Sequence, residues 1–154
     1  MKYFIGAIVC IAFLSFSTQK NSHKPVYNLI IITEVAEVSG TNFIPLECVV
    51  NERTYDGSTD QYIKINDAIE KELQLKYKNR KLAFFREHNG NNHAHKYVVV
   101  LMGVCHDSFL GRKKRNYSYC IKPTRKEAME SAKAKYSGMC NSVEPSVVVD
   151  QLYK

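Results

Sequence analysis

Between residues 27 and 38 the chain reads YNLIIITEVAEV, apolar first at consecutive positions and then at alternate ones. Consecutive β-branched residues bury both faces of a strand, so this run predicts a strand well inside a sheet. Ser39, Gly40 and Thr41 signal a turn, and Phe43 to Val50 predicts the returning strand. Pro45 has no N–H to give to a ladder, which places it at an edge or a bulge. After the Asp56-Gly57 loop the rhythm changes. Tyr62, Ile65, Ile69, Leu73 and Tyr77 recur at spacings of three and four, the stripe of an amphipathic helix. Thr59 or Asp60 is its expected cap.

The second half follows the same order without repeating the residues. Lys81 to Arg86 is a short apolar piece with no assigned place, and His88 to Asn92 reads as a loop around Asn89-Gly90. Tyr97 to Cys105 (YVVVLMGVC) predicts a central strand, and Tyr117 to Lys122 its antiparallel partner. Thr124 and Glu127 stand at capping-box spacing ahead of Ala128, Met129, Ala132 and Tyr136, with Gly138 as the natural stop. Val147 to Val149 is a candidate edge strand. The expectation is an α+β domain of order ββαββα with a possible final β. It would form one antiparallel sheet of four or five strands with both helices on one face.

The N-terminus changes the compartment. Lys2 precedes an uncharged apolar run from Tyr3 to Phe16, 14 residues long. A membrane-spanning helix needs about 20. A secretory signal needs only this length, and Ser15 and Ser17 supply the small residues before a cut. Residues 1–17 are therefore expected to be a signal peptide, 18–26 a tether and 27–154 a single domain, secreted or periplasmic, with no transmembrane segment in the mature chain. Four cysteines then remain: Cys48, Cys105, Cys120 and Cys140. An even count in an exported chain predicts two disulfides. A hairpin setting residue 105 opposite residue 120 makes these Cys105–Cys120 and, by subtraction, Cys48–Cys140.

Candidate chemistry is sparse. His93 and His95 would share a face if extended, with His88 across the loop. No acidic residue or second cluster accompanies them at ligand spacing, so no metal is assigned. Cys105-His106-Asp107 has the parts of a thiol triad, but adjacent strand positions face opposite ways. Glu34, Glu47, Glu87 and His106 are residue types that an exported ribonuclease uses, and nothing in the sequence brings them together. There is no Gly-rich phosphate loop and no cofactor motif. Asn116-Tyr117-Ser118 is a glycosylation sequon.

Charge is more informative. The whole chain carries +7. Residues 111–136 hold nine Lys or Arg against Glu127 and Glu130, so the excess is local. It centres on a hairpin loop, Arg112, Lys113, Lys114 and Arg115, and continues through Lys122, Arg125 and Lys126. Tyr117 beside it is a candidate stacking ring. A field of this kind attracts an anionic polymer or surface: nucleic acid, acidic glycan, lipopolysaccharide or anionic lipid. The expected function is a small exported binding module without catalysis. The alternatives are a small exported hydrolase such as a ribonuclease, and a structural or inhibitor-like protein that binds another protein.

Overall fold

A computed structural model describes residues 25–89, 96–107, 112–137 and 144–153. The expected signal peptide, most of the tether, and His93, His95, Gly138 and Cys140 lie outside them. The elements are β1 (Tyr27–Ser39), β2 (Asn42–Tyr55), α1 (Thr59–Lys76), β3 (Leu82–His88), β4 (Lys96–Asp107), β5 (Arg112–Lys122), α2 (Arg125–Ser137) and β6 (Ser146–Tyr153). The class is as the pattern predicts, and the order ββαββα with a final strand fits once one more strand, β3, is placed between α1 and β4. The unplaced piece near Lys81 is β3, and the valine run is in β6.

The sheet is not single. Two three-stranded antiparallel sheets form, in the orders β2-β1-β3 and β5-β4-β6. The reason lies in the two most apolar strands. Leu29, Ile31 and Val35 pack with Ile69 and Leu73 of α1, while Ile30 and Ile32 face the other way, onto Val98, Val100 and Tyr117. On β4, Val99 and Leu101 pack with Ala128 and Ala132 of α2. One sheet with both helices on one face would leave Ile30, Ile32, Val98 and Val100 in water. Stacking the sheets buries them, at about 1.5–3 kcal/mol for each such side chain taken fully out of water. The layers therefore run α1, first sheet, second sheet, α2. Each half is a ββαβ unit whose first strand is central, so the fold repeats where the sequence does not.

The junctions follow local chemistry. Ser58, one residue before the expected cap, accepts the N–H of Gln61 at 3.3 Å. Thr124 Oγ1 accepts the N–H of Glu127 at 3.3 Å and donates to its carboxylate at 2.8 Å, which closes the capping box through side chains. Pro45 meets both of its expectations. It lies on an edge strand, and the β1–β2 register shifts between Val35 and Ala36, the latter opposite Pro45.

β5 runs across the first sheet. Its Tyr117 hydroxyl donates to the Leu46 carbonyl on β2 at 3.4 Å. Its Ile121 N–H donates to Glu87 on β3 at 3.1 Å.

Candidate anion-binding surface

The basic tetrad is not a loop tip. β4 and β5 stay paired out to Asp107 opposite Arg112, so Arg112, Lys113, Lys114 and Arg115 open a strand. Alternate strand positions belong to opposite faces, so the four divide two and two. Described side chains begin at Arg115, which is exposed.

Lys122, Arg125 and Lys126 are all exposed at the junction of β5 and α2. Arg125 is already committed. Its Nε lies 3.0 and 2.8 Å from the two oxygens of Asp150 on β6, and this partner holds the guanidinium's proton more tightly than usual. Lys135 is also held, by Glu87 at 2.8 Å and the Tyr119 carbonyl at 2.9 Å. Arg115, Lys122, Lys126 and Lys133 have no carboxylate partner among the described residues.

Tyr117 is a core residue rather than a surface ring. It is 6% exposed and packed between the sheets with Ile30, Ile32 and Val100. Burial pushes its hydroxyl's pKa up, while the neighbouring Arg115 charge works the other way. Tyr119 is half-buried beside Lys135. Among the described residues of the 96–153 half, Tyr97, Tyr119 and Tyr153 are half-buried and Tyr117 and Tyr136 buried.

The two halves differ in sign. Residues 25–89 hold eight Lys or Arg and ten Asp or Glu, a net of −2. Residues 96–153 hold ten against five, a net of +5. The first half also satisfies many of its cations internally: Lys76 with Glu47 at 2.5 Å, Arg80 with Glu37 at 2.7 Å, Arg86 with Glu70, and Arg53 with Glu72 at 3.8 Å.

The expected disulfides do not form. Cys48 and Cys120 are free thiols, which removes both Cys105–Cys120 and Cys48–Cys140. The register explains the first. Cys105 stands opposite Lys114, and Cys120 opposite Val99, where it packs against α2. Cys48 faces the inter-sheet core, where burial, then the charges of Glu34 and Glu47, raise its thiol far above the ordinary range. That makes it a poor nucleophile.

The remaining candidates disperse. Glu47 and Glu87 are engaged by Lys76 and Lys135 on separate helices. His88 lies against the Tyr62 ring, with centroids 4.9 Å apart. Among the described residues, no three His, Cys, Asp or Glu stand together as a metal set. No described helix is long and apolar enough to cross a membrane. The sequon is interior to β5. Asn116 Nδ2 donates to the Cys105 sulfur at 2.9 Å, and Tyr117 and Ser118 are buried, so the sequon lies in a paired strand rather than an open loop.

No protein-family model, curated protein or solved structure matches this chain.

Proposed function

We propose that this is an exported, non-catalytic binding module that holds an anionic polymer or surface against β5 and the start of α2. One observation carries the reading: a +5 half is packed sheet to sheet on a −2 half, and on the positive one Arg115, Lys122, Lys126 and Lys133 have no carboxylate partner among the described residues. Arg115, Lys122, Lys126 and the strand positions 112–114 form the contact, and Lys133 extends it along the helix. Export is inferred from the signal-like first 17 residues.

Binding by charge alone has a signature. Each neutralised anionic group releases counterions, so affinity falls linearly on a log–log plot against salt. Titration of the signal-free chain with heparin and with duplex DNA at several salt concentrations tests the reading. Steep slopes on both are expected. Salt-independent binding, or none at low salt, contradicts it.

A protein partner is the second reading, favoured by Phe43 and Phe85. These exposed rings meet edge to face at 5.3 Å on the first sheet. Phe85→Asp separates the readings, because it weakens a protein contact and leaves heparin binding intact.

A further inference from the structure

The four sheet edges are not equally guarded. Edge strands invite pairing with other chains, and proteins blunt them with proline, charge, shortness or cover. β2 carries Pro45 with Glu47, Glu52 and Arg53. β3 is seven residues long and ends Arg86-Glu87-His88. β5 opens with four basic residues, and two of its edge groups are capped, the Ile121 N–H by Glu87 and the Tyr119 carbonyl by Lys135. β6 has neither proline nor a cover among the described residues, and its one irregularity is a register shift against β4 that leaves Val148 without a partner there. It reads SVVVDQLY, and its single charge, Asp150, is neutralised from the side by Arg125. Val147 is 54%, Val148 47% and Leu152 38% exposed. Among the described residues β6 pairs with β4 alone.

We propose that β6 is a self-association edge: a second copy of this chain adds its own β6 antiparallel, joining the two β5-β4-β6 sheets across a twofold axis. Unpaired ladder groups require a strand as their occupant. The strand's neutrality selects which one, because an acidic or basic segment gains nothing from it, whereas an apolar strand buries Val147 and Leu152 against their like. The geometry permits it electrostatically. β5 lies on the far side of β4 from β6, so the basic strands of the two copies stand at opposite ends of the joined sheet. An isologous contact of this kind also closes, giving a dimer rather than a fibre. The dimer presents two basic surfaces, though the inference stands whether or not they bind polyanions.

The experiment is light-scattering mass of the signal-free chain across a wide concentration range, combined with hydrogen exchange over residues 146–153. A twofold rise in mass, with β6 amides becoming protected as it rises, is expected. Val148→Lys and, separately, Leu152→Lys should each restore the monomer mass without altering the melting temperature much, since both sites are exposed. A mass that stays monomeric overturns the proposal. So does a dimer whose β6 amides exchange as fast as the monomer's, or one indifferent to both lysines. If a lysine variant does not fold, the exchange measurement on the unaltered chain decides.

Discussion

The Tyr136 hydroxyl occupies the space beside Gly103 that a side chain would need: a Cβ built there falls 1.7 Å from the oxygen. α2 can lie this close to β4 because position 103 has no side chain. Ser118 on β5 secures the same contact, donating to the Ala132 carbonyl at 2.6 Å. The ring at the C-terminal end of α2 is thus fixed by a vacancy in the strand beneath it.

Gly103→Ala should therefore destabilise the protein by about 1–3 kcal/mol, the usual cost of overpacking a tight core. Tyr136→Phe is the complementary change. The hydroxyl is buried without a partner among the described residues, so removing it should leave stability unchanged or slightly higher. Denaturant melts of both variants check this. A neutral Gly103→Ala would mean that α2 does not sit where described.

Alkaline pH should unfold the protein cooperatively. Burial is the largest cause raising the pKa of Cys48 and of Tyr55, Tyr77, Tyr117, Tyr119 and Tyr153. The folded state thus keeps protons that the unfolded chain releases near about 8.5 for the thiol and about 10 for the phenols. Their contribution is complete below those values and is lost as pH rises toward the folded ones. Tyrosinate absorbance followed against pH should rise in one step that coincides with loss of circular dichroism. Gradual ionisation with the fold intact would contradict the burial of these rings.

Cys48 and Cys120 should stay reduced in the folded protein and react with alkylating agents only after unfolding. In a chain lacking residues 1–17, Cys105 and Cys140 are by subtraction the one pair left for a bridge. Non-reducing peptide mapping should find that pair alone. A peptide joining Cys120 to another cysteine would contradict the register of β4 and β5, and one joining Cys48 would contradict its place as a free thiol against the inter-sheet core.

Local pattern made much of this fold legible. The stripe from Tyr62 to Tyr77 and the Thr124–Glu127 box act within a few residues, so sequence spacing is enough to read them. The double-sided apolar runs also announced two central strands, but a run shows only that both of its faces are buried, not what covers each one. The second sheet and the outward helices were for that reason illegible. The disulfide error has the same root, because cysteine count carries no register. At the surface, the basic excess was visible as composition. That Asp150 takes Arg125 and Glu87 takes Lys135 was not, since these partners lie 25 and 48 residues away.

The Arg125–Asp150 pair offers a gain-of-function check. Asp150→Asn releases the guanidinium and removes one negative charge beside the proposed contact. Elution of this variant from heparin should move to higher salt. Elution at lower salt would mean that Arg125 faces away from the ligand.

Binding to heparin by three forms of the chain lacking residues 1–17 tests the central proposal most directly. In one form Arg112, Lys113, Lys114 and Arg115 are changed to Gln or Ser; in another Lys64, Lys71, Lys76 and Lys78 are. The unaltered protein is the third. Both variants lose the same net charge, and the second draws it from the half that is −2. The strand variant should lose most of the affinity and show a shallower salt slope. The other should lose little, with both still folded by circular dichroism. Equal losses from the two would reduce the attraction to net charge, and the proposed surface would not exist as a site.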